Sequence, residues 1–224
     1  MRQNSDPTDA EPIVAIDDAA PAEARAAVAP VRKRPKPGER RVQILQTLAS
    51  MLEQPGADRI TTAALAAKLD VSEAALYRHF ASKAQMFEGL IEFIEQTVFT
   101  LINQIQEREA ASNVQVQKML TVLLQFAEKN PGMARVMVGD ALVFENERLL
   151  ARMNQFFERF ESQLRQSLRG TADAAGSATP TVDANAQASV LIAFAVGRLQ
   201  RYARSGFRRS PTEHLDAALR MLAA

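Results

Sequence analysis

With 224 residues the chain is long enough for one or two helical cores, and its 47% apolar content is that of a globular protein, not a fibrous or wholly disordered one. Cysteine is absent, which excludes disulfides, thiolate metal sites and cysteine nucleophiles and suits a reducing cytoplasm. The net charge of +1 hides an uneven distribution: residues 1–31 hold two Arg against six acids, residues 32–83 ten Lys or Arg against five acids, and residues 84–224 fifteen of each.

Residues 1–38 read as a disordered arm, Ala/Pro-rich and acidic, then basic through Arg32, Lys33, Arg34 and Lys36. Nothing in it has the apolar core of a signal peptide, and no later run is long enough to span a bilayer, so a cytoplasmic protein without a membrane partner is expected. Glu39 opens the first amphipathic helix, with a stripe at Val42, Leu45, Leu48, Ala49 and Leu52 and a stop at Pro55–Gly56. A short helix runs from Thr62 to about Leu69. Asp70 and Val71 turn the chain, and Ser72 caps a third helix that reaches about Phe80. Ser82 caps a long helix at Lys83–Arg108, followed by helices at Ser112–Lys129, Pro131–Val138 and Glu145–Arg169. Residues 170–181, rich in Ala, Gly, Ser and Thr, read as a mobile loop, and helices at Asp183–Arg204 and Pro211–Leu222 close the chain. The expected fold is all-α.

Numbered as a helix-turn-helix from Thr62, the chain places Ala66 fifth, Asp70 ninth and Leu76 fifteenth, with Leu65, Leu69 and Val71 at the other buried positions. The fifth residue must be small because two helices cross there, the ninth must turn the chain, and the fifteenth must pack the second helix on the first. The ninth position favours glycine because φ is positive; Asp tolerates that region better than most residues. With the second helix in a major groove, Ser72, Ala74, Ala75 and Arg78 face base edges or thymine methyls, while Tyr77, His79 and Lys83 reach phosphates. Thr61 and Thr62 cap the preceding helix with hydroxyls and amides toward a phosphate.

Ile60-Thr61-Thr62, Leu65-Ala66, Val71-Ser72 and Leu76-Tyr77-Arg78-His79-Phe80, followed by Ser82-Lys83 and Phe87, resemble the TetR-family DNA-binding domain. The resemblance implies a helix-turn-helix domain at 39–83, a helical dimerisation and partner-binding domain at 84–224, a homodimer, and a palindromic duplex DNA site that takes one or more dimers. Ser72-Glu73-Ala74-Ala75, Leu90-Ile91-Glu92-Phe93-Ile94-Glu95, Asn130-Pro131-Gly132 and Phe157-Glu158-Arg159 with Gln163-Leu164-Arg165-Gln166 are similar to the family's nucleoid occlusion branch. That likeness implies a nucleoid-associated protein that contacts the tubulin-like division polymer FtsZ and stops its ring assembling over the nucleoid. It places the FtsZ-facing groove on the helices at 83–108 and 112–129, with Phe93, Leu101, Leu123 and Lys129 as contacts. An apolar groove with a basic rim suits an acidic and apolar tail.

Val190-Leu191-Ile192-Ala193-Phe194-Ala195-Val196-Gly197 is apolar all round, so it needs two partner surfaces, and the same helix of a second subunit is the simplest one. Val190, Leu191, Ala193, Phe194 and Gly197 are the candidate dimer residues, packed with Pro211–Leu222. Arg198, Arg201, Arg204, Arg208 and Arg209 read as the solvated end of that helix. A ligand-released transcriptional repressor is the alternative function, with a pocket at Met119, Leu123, Met133, Met137, Phe144, Met153 and Phe156. Those residues read as bundle core, since no buried polar cluster accompanies them to orient a ligand. No cofactor or metal is implied. An enzyme lacks its parts: the two histidines are His79 and His214, and neither a phosphate loop nor a nucleophile motif is present.

Overall fold

A computed structural model describes residues 38–54 and 59–222. The acidic arm, the basic run at Arg32–Lys36 and the Pro55–Gly56 stop lie outside the described residues. Nine α-helices and no strand occur among those described: α1 Glu39–Leu52, α2 Thr62–Lys68, α3 Glu73–Tyr77, α4 Lys83–Arg108, α5 Ser112–Lys129, α6 Pro131–Met137, α7 Glu147–Ala174, α8 Pro180–Arg204 and α9 Leu215–Leu222. A 3-10 turn, Asp140–Leu142, joins α6 to α7.

Side-chain caps start four of these elements, among them α7, where Asn146 Oδ1 accepts from the Arg148 amide at 3.1 Å. Thr61 Oγ1 accepts from the Ala64 amide, Ser72 Oγ from Ala75 and Ser82 Oγ from Gln85, at 3.1, 3.3 and 3.2 Å. The Gln85 side chain reaches back to accept from the Ala81 amide at 2.8 Å, which fixes the entry to α4. Ends are set as definitely as starts. After α7 the Gly176 amide donates to Asp173 O and the Ser177 amide to Ala172 O, the paired reverse bonds that close a helix when its next residue turns left-handed, and Gly176 sits at φ 75°.

Three boundaries differ from the sequence reading. Residues 170–174 continue α7 and Pro180 and Thr181 begin α8, so the loop expected at 170–181 is the connection 175–179. Small residues alone do not stop a helix that has a long neighbour to pack on, and α7 and α8 lie against each other along much of their length. Residues 211–214 form turns, so α9 starts at Leu215, four residues after the start expected at Pro211. There Glu128 accepts from the hydroxyls of Ser210 and Thr212, holding the chain out of helical register. The third helix stops at Tyr77, short of Phe80.

Helix α1 buries Ile44, Leu48 and Leu52, leaves Leu45 and Ala49 half-buried, and exposes Val42, a face rotated from the predicted stripe. The cause is α6, which packs on α1 so closely that a Cβ on Gly132 would stand 2.9 Å from Ala49 C and closer still to its carbonyl oxygen. One continuous apolar core runs from Ile44 through α4, α5 and α7 to Leu219 on α9. Of the seven side chains proposed to line a ligand pocket, six are buried in this core; Phe144 is 67% exposed and lines none.

Candidate nucleic-acid and partner interfaces

Helices α2 and α3 meet at Ala66, which is buried, and Leu65, Leu69 and Leu76 are buried around that crossing while Val71 is half-buried. Asp70 turns the chain at φ 54°. Its amide donates to Ala67 O and the Val71 amide to Ala66 O, the same reverse-bond closure as at Gly176, with an aspartate in the glycine position. One further bond has no counterpart in the sequence pattern: Thr62 Oγ1 donates to Glu73 Oε2 at 2.6 Å and ties the start of α2 to the first turn of α3.

The geometry leaves one face of α3 open. Ser72, Ala74, Tyr77, Arg78 and His79 are exposed, Ala75 is half-buried beside them, and Thr61 is exposed at the start of α2. Lys83 stands apart from this set. Its ammonium is half-buried, donates to the carboxylate of Glu145 and lies 5.7 Å from the Phe87 ring centroid. As folded, the phosphate contact expected of Lys83 has a protein carboxylate in its place. Arg41, in the first turn of α1, closes the back of the module. It donates to His79 O at 2.8 Å and stacks its guanidinium 4.0 Å over the Phe80 ring. No local signal could have shown this, because the partners are 38 residues apart.

Behind the module, α4 is joined to the start of α7 by further ion pairs. Arg148 meets Glu88 at 2.7 Å, and Arg152 holds Glu95 with two bonds at 3.1 and 2.6 Å. The hydrogen bonds that Arg152 donates to Glu95 raise its pKa above the usual value, against a smaller lowering by burial. Together with Lys83–Glu145, these pairs fix the orientation of the helix that carries the reading module.

On the outer side of α4, Phe93 and Leu101 are exposed, and the Phe93 ring lies 6.1 Å from that of Phe126 on α5, with Lys129 exposed one turn further. Leu123 does not join them. It is fully buried, on the core stripe with Val116, Met119, Leu120 and Ala127, so it cannot meet a partner; its half-buried neighbour Val122 lines the surface instead. One turn beyond Leu101, Ile105 enters a surface cavity of about 520 Å³ shared with Val114, Lys118, Val122, Leu219 and Arg220.

Helix α8 has two faces. Ala184, Ala188, Leu191, Ala195 and Leu199 turn inward, and Leu191 therefore belongs to its own subunit's core and not to a dimer contact. Val190 and Ala193 are exposed, and Phe194 and Gly197 are half-buried; a Cβ on Gly197 would meet nothing within 4 Å. An open, small-residue stripe of this kind is what a second helix can approach closely.

Residues 44–90 match the family described as bacterial regulatory proteins, tetR family, and residues 110–224 match the SlmA-like family described as tetracyclin repressor-like, C-terminal domain. The chain is 51% identical over 190 residues to nucleoid occlusion factor SlmA of Photobacterium profundum, covering 84% of this chain and 96% of that protein. It is 52% identical over 181 residues to nucleoid occlusion factor SlmA of Alteromonas mediterranea, covering 81% and 92%. The TetR family regulator PfmR of Thermus thermophilus shares the fold with a TM-score of 0.67 at 18% identity over 80% of this chain and 96% of that one. The regulator FadR of Bacillus subtilis, solved with stearoyl-CoA, does so with 0.65 at 13% identity over 82% and 97%. From the left-handed turn at Asp70 to the two-faced α8, this chain belongs to the TetR family of DNA-binding regulators and, within it, to the nucleoid occlusion factors of the SlmA type.

Proposed function

We propose that the chain acts as a homodimer on palindromic chromosomal sites and, from there, antagonises assembly of the FtsZ ring over the nucleoid. One observation carries this reading: about half of the aligned residues are identical to those of nucleoid occlusion factors across nearly the whole length of those proteins, C-terminal domain included. The exposed face of α3 supports DNA contact through Ser72, Ala74, Ala75 and Arg78 at bases, and through Thr61, Thr62, Tyr77 and His79 at the backbone. Phe93 and Leu101 on α4, with Lys129 and Val122 on α5, support a groove for a short apolar segment flanked by acids. The outward stripe Val190, Ala193, Phe194 and Gly197 supports pairing of α8 with its copy.

Release by a small molecule has less to support it, since the side chains that would line such a pocket are packed together in the core. The groove predicts that Phe93→Ala and Lys129→Glu each weaken binding of an FtsZ C-terminal tail peptide at least tenfold, followed by fluorescence anisotropy, while affinity for a chromosomal site stays within twofold. Unchanged tail affinity in both variants would move the partner site off α4 and α5.

A further inference from the structure

Between Asp183 and Glu213 the sequence contains no acidic residue, yet five arginines, at 198, 201, 204, 208 and 209, crowd its second half. Helix α8 ends among them in a tightly bonded turn. The Gly206 amide donates to Ala203 O and the Phe207 amide to Tyr202 O. Ser205 Oγ donates to Tyr202 O at 2.8 Å and accepts from the amides of Arg208 and Arg209 at 3.1 and 2.9 Å. Phe207 anchors the turn from beneath, its ring 5.2 Å from Tyr202 and 5.5 Å from the Arg135 guanidinium.

Arg198 is used within the fold, where it donates to the carbonyls of Pro211 and Glu213 and lies 4.8 Å over the Phe194 ring. Arg201, Arg204, Arg208 and Arg209 are exposed, and among the described residues none of them forms an ion pair. The nearby carboxylates are engaged or stand off: Glu128 accepts from Ser210 and Thr212, Glu213 faces His214 at 3.8 Å, and Glu53 acts on Tyr202 only through space. Arg201 and Arg204 complement the last carbonyls of α8, as cations at a helix C-terminus do. Arg208 Nε donates to the carbonyl of the C-cap Ser205 at 2.9 Å, which holds its exposed guanidinium beside the turn, and Arg209 lies past the helix.

We propose that Arg201, Arg204, Arg208 and Arg209 form a second, sequence-independent contact for the phosphate backbone of duplex DNA. Guanidinium forks match phosphate oxygens, and a backbone contact needs charge and donors without a pocket. A peptide would need an apolar anchor, and the one apolar side chain of this turn, Phe207, is already packed on Tyr202. Helix α8 packs on α6 and α6 on α1, so the patch is layered away from α3 and suits a second duplex, or a distant stretch of the same one. At the reading module itself two cations are already engaged by the protein, Arg41 with the His79 carbonyl and Lys83 with Glu145. This surface is independent of FtsZ.

The test is binding of a labelled 30-base-pair duplex of random sequence by the full chain already saturated with an unlabelled chromosomal-site duplex, by anisotropy across a salt series. The chain with Arg201→Gln, Arg204→Gln, Arg208→Gln and Arg209→Gln should lose at least tenfold in affinity at low salt. Its slope of log K against log salt should fall by roughly 3–4, at about 0.9 for each phosphate no longer neutralised. Arg208→Gln with Arg209→Gln, which leaves α8 untouched, should lower the slope by about half as much. Slopes equal to the parent chain in both variants would overturn the proposal. So would a shift from dimer to monomer in sedimentation, which would assign the arginines to a subunit contact, or binding of poly-glutamate at the patch with no effect on duplex binding. Arg78→Ala, which acts on the reading helix, separates the two surfaces: it should abolish preference for a chromosomal site while retaining binding of random duplex.

Discussion

Asp70 holds φ 54°, where a side chain with a Cβ is strained and glycine is not. Comparing Asp70→Gly with Asp70→Ala isolates that strain, because neither variant keeps the carboxylate. The glycine variant should be the more stable by about 1 kcal/mol in urea denaturation, and equal stabilities would mean that the turn relaxes. Lys83 gives a second test. Glu145→Gln should release its ammonium toward DNA and steepen the salt dependence of binding by roughly 0.9, measured on a chromosomal site; an unchanged slope would leave Lys83 out of the interface. Residues whose role depends on chain neighbours were legible in the sequence, as the caps Thr61, Ser72 and Ser82 show, since an oxygen placed before a helix meets an amide three residues on. Lys83 and Arg41 were not, because Glu145 is 62 residues from the first and His79 is 38 from the second.

Helix existence was legible at the scale of elements, and helix facing was less so. Periodicity alone places α4 and α5 at their observed limits, because both are long and carry apolar residues on a wide stripe. It misplaces the buried side of α1 and sends Leu191 outward, whereas spacing puts Leu123 in the core and only the resemblance places it at the partner surface. A stripe with apolar residues on several sides does not say which neighbour will cover it; packing of α6 on α1, and of α7 on α8, makes that choice. The close approach at Gly132 is the most sensitive point of this packing. Gly132→Ala drives a methyl into the Ala49 carbonyl, against backbone that cannot step aside, and should destabilise the chain by about 1–3 kcal/mol in urea denaturation. A smaller loss would show that α6 can slide on α1. The pairs Arg148–Glu88 and Arg152–Glu95, which join α4 to α7, are partly exposed and contribute modestly to stability, so their value lies in the angle they fix between the two helices.

The whole molecule has to place two reading helices on one duplex, and the outward stripe of α8 is the surface that supports pairing. Val190→Arg puts a charge at the start of that stripe and should convert the dimer to a monomer in sedimentation at micromolar concentration, with loss of at least a hundredfold in affinity for a palindromic site. A dimer that survives would move the subunit contact elsewhere. Two surfaces are proposed for the partner and for distant DNA: the α4–α5 groove, which the resemblance names, and the arginine turn after α8, which pattern reading leaves as a solvated helix end. On the function proposed above, a chromosomal DNA complex of this protein antagonises assembly of the division polymer. Pelleting FtsZ polymer in the presence of the full chain, with and without a chromosomal fragment that the protein occupies in the cell, measures this. The protein should lower the pelleted fraction and the fragment should lower it further; an unchanged fraction at saturating protein and fragment would contradict the proposed function.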